Sequence, residues 1–215
     1  MRLVLAEYGE APTLIEETPW ERSEAFLKLN PAGELPVLID DDQTTVCGAA
    51  IAGEYLFETR GSRLGEKALM PGQPVERAEV RRLVDWFLRK MEVEVTGYLL
   101  TEKMYKRRMP IAEGGGPPDA AAIRAARSNI RYHLGYIGYL VSRRSCLAGR
   151  ELSFADLAAA AGLSTVDYLG EVPWEDDPTA REWYARMKSR PSFRVLLAER
   201  VRGLPAATHY ADLDF

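Results

Sequence analysis

The spacing of apolar residues divides the chain into a first part that mixes short helices and strands and a second part that is helical. RLVLAEYG has helical apolar spacing and ends at Gly9, while PTLIEE is a short apolar run that predicts a strand. WERSEAFLKLN predicts a second helix, and ELPVLIDDDQTTV predicts an antiparallel hairpin that turns at Asp41 and Asp42. A helix over GAAIAGEYLFETRG, closed by Gly61, completes an α+β unit.

Two apolar stripes predict long helices in the second part of the chain. The alanine-rich stretch that follows them predicts a buried central helix, and Ser153 and Asp156 have the spacing of a capping box at its start. A last helix is expected to end at Pro191, before a non-helical tail. The stripes consist of Val80, Leu83, Val84, Phe87, Met91 and Val95, and of Ile123, Ala126, Ile130, Leu134, Ile137 and Val141.

The segment between the two parts, GSRLGEKALMPGQP, is rich in glycine and proline. This composition is typical of a connecting segment between folded units. We therefore predict a first domain at residues 1–62, a linker at 63–74, an all-helical domain at 75–204 and a C-terminal tail at 205–215.

Composition and charge exclude several classes of protein. The chain has 215 residues, 47% of them hydrophobic, which is enough for a sizeable core, and no apolar run approaches the length that a bilayer requires. Lysine and arginine total 28 against 32 acidic residues, and the net charge of -4 argues against nucleic acid as the main partner. The two cysteines and two histidines are too few and too scattered for a disulfide framework or a metal site, so we predict a soluble cytoplasmic protein without metal.

The strings LNPAGELPVLIDDD and REWYARMKSRPSF, in an α+β unit followed by an all-helical unit, resemble the cytosolic glutathione transferase superfamily over nearly the whole chain. The resemblance implies the α+β fold class, with a thioredoxin-like N-terminal domain and an all-α C-terminal domain. Members of the family begin with a strand and a loop that carries the catalytic residue, whereas MRLVLAEYG matches their first helix. We therefore expect this chain to lack the first strand and to contain no catalytic residue.

The resemblance also implies where glutathione would bind. In the family, a cis proline and the backbone of the residue before it hold the cysteinyl unit, and these match Pro36 and Leu35. A Glu-Ser or Asp-Ser pair at the next helix start holds the γ-glutamyl group, and the matching residues are Cys47 and Gly48. The helix start still offers backbone N–H groups, but the carboxylate that pairs with the ligand's ammonium is missing. We therefore predict a degenerate site with weak or absent glutathione binding.

A narrower resemblance rests on TVCGAAIAGEYLFETRG, GGGPPD, RSNIRYHLGYIGYL and HYADLDF, which occur in this order. Together they are similar to a glutathione-transferase-like family of bacterial cell-division regulators that bind the tubulin-like GTPase FtsZ. The resemblance implies a non-catalytic homodimer, two-fold symmetric, that binds FtsZ filaments at the division site and signals to the septal cell-wall synthesis machinery through its tail. The alternative is a glutathione-dependent transferase whose catalytic residue lies in the missing first segment.

The tail HYADLDF has side chains suited to a protein partner. Aromatic rings can anchor a short segment in a groove while carboxylates set its orientation. The alternative is that the tail packs on its own helical domain, since chain ends are ordered only where they are held. The partner-binding candidates in the tail are Tyr210, Asp212, Leu213, Asp214 and Phe215.

The stretch TEKMYKRRMP forms a cationic edge beside a glycine-rich loop. We predict that Lys103, Tyr105, Lys106 and Arg107 meet an acidic partner surface, the alternative being a solvated helix end whose cations suit the helix dipole. Trp20 lies where the family has a variable surface segment near the glutathione cleft. We predict that it anchors an interface, the alternative being simple burial.

Overall fold

The computed structural model of the chain describes residues 1–65 and 68–213. Within this range an α+β unit is followed by a helical unit, and no helix is long and apolar enough to cross a membrane. The strands are β1 (Val37–Ile39) and β2 (Thr45–Cys47). The helices include α1 (Arg2–Glu7), α2 (Glu24–Leu29), α3 (Ala49–Arg60), α4 (Pro74–Asp85), α5 (Gly97–Lys103), α6 (Ala120–Val141), α7 (Phe154–Tyr168), α8 (Pro178–Lys188) and α9 (Arg194–Leu197).

The predicted hairpin is confirmed. Strands β1 and β2 pair antiparallel, with Leu38 opposite Val46, and both side chains are buried. The turn is closed by the Asp40 N–H, which donates to the Thr44 carbonyl over 2.9 Å. Because β2 leads directly into α3, the hairpin fixes the point at which that helix begins.

The strand predicted over PTLIEE is wrong. The segment has no regular structure, and the side chains of Leu14 and Ile15 are 54% and 81% exposed. A strand requires a neighbouring strand with which to pair its backbone. In the described part of the chain, β1 and β2 pair only with each other, so a β-prone run alone does not produce a strand here.

The first apolar stripe lies on one continuous helical path from α4 to α5, but the middle of that path is not α-helical. Trp86–Lys90 and Glu92–Thr96 form π turns. From Leu83 onward the buried apolar residues of this path recur every four positions, and each such step on an α-helix overshoots a full turn by about 40°. The wider π turns absorb the excess, so that the same face stays in the core. These residues are Leu83, Phe87, Met91, Val95 and Leu99.

Helix α7 is the centre of the core, as its alanine-rich sequence predicts, and the capping box at its start is confirmed. The Asp156 side chain is fully buried and accepts hydrogen bonds from the Ser153 N–H and hydroxyl over 3.0 and 2.9 Å. It also accepts from the Leu147 N–H over 2.8 Å and from the Trp183 indole over 3.3 Å. One carboxylate therefore ties the helix start to the preceding loop and to α8.

Candidate functional site

The predicted glutathione site lies where β2 passes into α3. The Leu35–Pro36 peptide bond is cis, and Leu35 is 46% exposed. The Pro36 carbonyl accepts a hydrogen bond from the Gly48 N–H over 2.9 Å, and the Cys47 thiol lies 3.6 Å from the Leu29 carbonyl oxygen. The structure therefore brings the four residues together around the start of α3.

The start of α3 offers backbone donors but no side-chain cap. Gly48 precedes the helix with φ of +86°, and a Cβ at this position would meet no atom within 4 Å. The open space and the helix dipole favour a carboxylate here. The Cys47 thiol carries no carboxylate to pair with an ammonium group, so the arrangement favours anions without selecting an amino acid. A side chain at Gly48 would fit in space but would be strained at this φ.

A cleft lies between the α+β unit and the helical unit, beside this site. The rings of Trp20 and Tyr105 lie 5.3 Å apart, centroid to centroid, with their planes tilted by 56°. The cleft has a volume of about 460 Å³, and its lining also includes Leu35, Met104, Arg108 and the acidic residues Glu16, Glu17, Glu21 and Glu113. Both aromatic candidates therefore form one surface, which the sequence did not reveal because they lie far apart in the chain. Burial raises the pKa of the Tyr105 phenol above its ordinary value.

The cationic edge is largely neutralised within the protein. The Lys103 ammonium binds the Glu171 carboxylate over 2.5 Å and the Leu169 carbonyl over 3.0 Å. Lys106 pairs with Glu102 over 2.6 Å. Burial alone would raise the pKa of Glu171, but hydrogen bonds from Arg127 and Lys103 outweigh it and hold the pKa below its ordinary value. These partners leave the two lysines less suited to an acidic partner than their sequence suggests.

Two further residues of the cationic edge, Arg107 and Arg108, are exposed. Arg107 is exposed, which fits its predicted role in partner binding. Arg108, which the sequence did not single out for a role, donates to the Arg202 carbonyl over 2.6 Å and lies 3.7 Å from the Glu16 carboxylate. Its interactions hold the cleft edge to both the first loop and the C-terminal segment, and only its position in the cationic run indicated this.

The tail folds back on the helical unit as far as the structure describes it. The Tyr210 ring is 2% exposed, so it does not present itself to a partner, which corrects the partner contact predicted there. Asp212 is exposed, Leu213 is 41% exposed, and both stay candidates for partner binding. Asp214 and Phe215 lie outside the described residues.

An aromatic surface lies on α6 and was not predicted from the sequence. Tyr132 and Tyr139 are 61% and 53% exposed, and the Tyr136 ring packs on Trp86 with centroids 4.6 Å apart. The guanidinium of Arg143 lies 3.9 Å from the centroid of the Tyr139 ring. The signal was present in YHLGYIGYL, since residues three and four apart share one face of a helix. We refer to Trp86, Tyr132, Tyr136 and Tyr139 as the α6 aromatic surface.

Comparison with known proteins agrees with this architecture. A family model described as the N-terminal domain of glutathione S-transferases matches residues 1–59. The crystal structure of a glutathione S-transferase from Sinorhizobium meliloti is 54% identical in sequence and superposes with a TM-score of 0.96, covering 100% of this chain and 93% of that chain. Together with the cis proline, the hairpin and the helical second unit, these matches define a glutathione-transferase-like protein.

Two relatives of this chain identify a narrower family within the glutathione-transferase-like proteins. The chain is 45% identical over 218 residues to FtsZ-localized protein A of Caulobacter vibrioides, covering 100% of this chain and 92% of that protein. The structure of FzlA from C. crescentus superposes with a TM-score of 0.90 at 46% identity and covers 100% of this chain and 92% of that chain. The chain therefore belongs to the FtsZ-localized protein A family of glutathione-transferase-like proteins, and the family predicted from the motifs is confirmed.

Proposed function

We propose that this protein binds FtsZ filaments in the cytoplasm at the division site and regulates bacterial cell division without transferase chemistry. The observation that carries the proposal is the similarity, along the whole chain, to FtsZ-localized protein A. The missing carboxylate at Cys47 supports the absence of glutathione chemistry, because the helix start retains only backbone donors.

The cleft edge is the best surface for the filament. Trp20 and Tyr105 offer adjacent rings of the kind that anchor interfaces, and Arg107, two residues after Tyr105, adds an exposed positive charge. An acidic partner would gain from this charge mainly in the rate and orientation of encounter. The rings supply the affinity, and the arginine supplies a salt-dependent contribution.

The α6 aromatic surface fits the interface of a homodimer. Exposed aromatic side chains that lie together on a surface mark sites of protein association. A two-fold interface places the same surface of both copies in contact, and tilted rings beside Arg82 and Arg143 provide both sides of such a contact. The exposed end of the tail, with Asp212 and Leu213, is then free to reach the septal cell-wall synthesis machinery.

Co-sedimentation with polymerised FtsZ tests the proposal. We expect the protein to pellet with the polymer, and Arg107→Glu to weaken this binding several-fold at low salt and less at high salt, because exposed charges are screened. Arg150→Glu makes the same change at an exposed arginine outside the cleft and should bind as the wild type does. Trp20→Ala should cost more than either substitution and show little salt dependence.

Two results would contradict the proposal. A wild-type protein that stays in the supernatant would remove FtsZ as the partner. Binding that both arginine substitutions weaken equally would show that only net charge matters and that the cleft edge has no special role.

The second candidate is a glutathione-dependent transferase, which the cis Leu35–Pro36 bond and the open start of α3 favour. Calorimetric titration with glutathione, in the buffer used for co-sedimentation, separates the two. Glutathione binding without FtsZ binding would establish the transferase, whereas FtsZ binding without glutathione heat would establish the division regulator.

A further inference from the structure

We propose that His209 and Tyr210 are positioning residues that lock the tail onto α7, so that Asp212 and Leu213 leave the fold at a fixed place. We call this pair the tail anchor. The inference rests on the proposed function, because it gives the acidic end of the tail a defined origin from which to meet its partner.

Tyr210 is held by its ring and by its hydroxyl. The hydroxyl donates to the Leu196 carbonyl over 3.2 Å and lies 2.8 Å from the Ser164 hydroxyl of α7. The ring meets the Tyr168 ring edge to face, with centroids 5.1 Å apart. A tyrosine that is 2% exposed and bonded at its hydroxyl in this way belongs to the core of the helical unit.

His209 reaches a carboxylate at the centre of the same unit. Its Nε2 lies 2.8 Å from Asp167 Oδ1, and the Asp167 side chain is fully buried. The same carboxylate accepts a hydrogen bond from the Trp174 indole over 2.9 Å and lies 3.6 Å from the Lys188 ammonium. Buried carboxylates require such partners, so the tail completes a polar network that the rest of the fold needs.

Backbone hydrogen bonds connect these side-chain contacts to the acidic end of the tail. The Ala207 N–H donates to the Tyr168 carbonyl, and the Tyr210 N–H donates back to the Ala207 carbonyl, each over 2.9 Å. The Asp212 N–H then donates to the His209 carbonyl over 2.9 Å. Asp212 therefore follows the tail anchor within one turn, and its direction of exit from the surface is set by the anchor.

A fixed exit point changes how the tail binds. A free segment must lose backbone and side-chain freedom when a partner captures it, and that loss weakens the complex. The tail anchor imposes part of the ordering in the folded protein, before any partner arrives. Residues that never touch the partner should then affect its binding, which a freely mobile tail would not allow.

Ser164→Ala and Tyr210→Phe in the full chain test the tail anchor. Both remove the contact between the Ser164 and Tyr210 hydroxyls, and Tyr210→Phe also removes the hydrogen bond to the Leu196 carbonyl. Ser164 is 4% exposed within α7, so it cannot itself touch a partner. We expect amide hydrogen exchange at Ala207 and Asp212 to become about fivefold faster in Tyr210→Phe and to rise less in Ser164→Ala, which keeps the bond to Leu196. The double variant should exchange no faster than Tyr210→Phe alone, because the two side chains share one bond. Unchanged exchange in both variants would overturn the tail anchor.

Cell division supplies the functional readout. In cells with the variant as the sole copy, Ser164→Ala and Tyr210→Phe should both lengthen cells while FtsZ co-sedimentation stays at the wild-type level. Asp212→Lys tests the tail's own role and should lengthen cells without changing exchange. Long cells with Asp212→Lys but normal cells with both anchor variants would overturn the inference and leave the proposed function intact. Normal cells with Asp212→Lys would overturn the tail's role itself, and the exchange data would still decide whether the anchor exists.

Discussion

Helices α3 and α7 both begin with backbone N–H groups that the helix itself cannot bond, and the two starts differ in what satisfies them. At α7 the buried Asp156 carboxylate accepts four hydrogen bonds, two of them from Ser153. At α3 the residue before the helix is Gly48, and no side chain caps the start. The first start is closed by the protein, and the second is open to solvent or to a ligand.

The two helix starts show that a carboxylate at one position is needed for folding, whereas a carboxylate at the other would be needed only to bind a ligand. The carboxylate at α7 organises a loop and two helices, so it is a requirement of folding. A carboxylate at the start of α3 would contact only a bound ligand, so the hairpin and helix form without it. The hairpin, the cis proline and α3 therefore do not depend on a carboxylate at the start of α3.

The largest effect is expected at the closed start. Asp156→Ala should lower the free energy of unfolding by about 3 kcal/mol, because four buried donors lose their acceptor. Chemical denaturation measures this change. A loss of less than about 1 kcal/mol would show that water replaces the carboxylate and that the start of α7 is no more closed than that of α3.

The open start should respond to an added charge by gaining a ligand. Cys47→Glu, with Gly48 retained because of its positive φ, should tighten glutathione binding about tenfold, since a charge-assisted hydrogen bond to the ammonium is restored. Calorimetry measures the dissociation constant. Cys47→Gln has the same length without the charge and should give little change. Equal binding by both variants would mean that shape rather than charge limits the site.

Acidification should weaken the contact between α1 and the segment that follows α8. Helix α1 also packs against both α3 and α7, so this contact supports the helices whose starts are compared. Burial would raise the pKa of Glu7, but hydrogen bonds from Arg190 and Ser192 outweigh it and hold the pKa below the ordinary 4.5. A lowered pKa stabilises the fold above that ordinary value, and this stability is lost as the pH falls through the folded-state pKa.

Denaturation curves at several pH values check this prediction. Between pH 6 and pH 3 the wild type should lose about 1 kcal/mol more than Glu7→Gln does. Glu58→Gln changes an exposed glutamate and should follow the wild-type curve. Parallel curves for the wild type and Glu7→Gln would show that the Glu7 contact does not contribute to the stability that is lost in acid.

The smallest effect is expected at a third helix start, which lies between the two extremes. Asp177 is half-buried and caps α8 through one hydrogen bond from the Ala180 N–H over 2.8 Å. Asp177→Ala should lower the free energy of unfolding by no more than about 1 kcal/mol, as expected for an ordinary cap. A loss as large as that of Asp156→Ala would show that burial does not distinguish the two caps.

Local chemistry explains which elements the sequence predicted. The capping box and the hairpin depend on residues within a few positions of each other, so their patterns are readable. The run PTLIEE depends on a neighbouring strand, which its own residues do not specify. The Tyr210 hydroxyl is hydrogen-bonded to that of Ser164, 46 residues earlier, and such a contact appears only once the helical unit has folded. The same holds for the Trp20–Tyr105 pair.

The sequence predicts one long helix here, and the π turns between α4 and α5 were not predicted. Apolar residues every four positions drift across the face of an α-helix, and the wider turns offset this drift. Gly97 fits this reading, because a Cβ there would lie 2.9 Å from the Glu92 carbonyl oxygen, the acceptor five residues earlier.

The Trp20–Tyr105 pair has a mechanical consequence. One ring belongs to the α+β unit and the other to the helical unit. A partner that binds both rings would therefore link the two units. Such a partner would restrict the motion of one unit relative to the other.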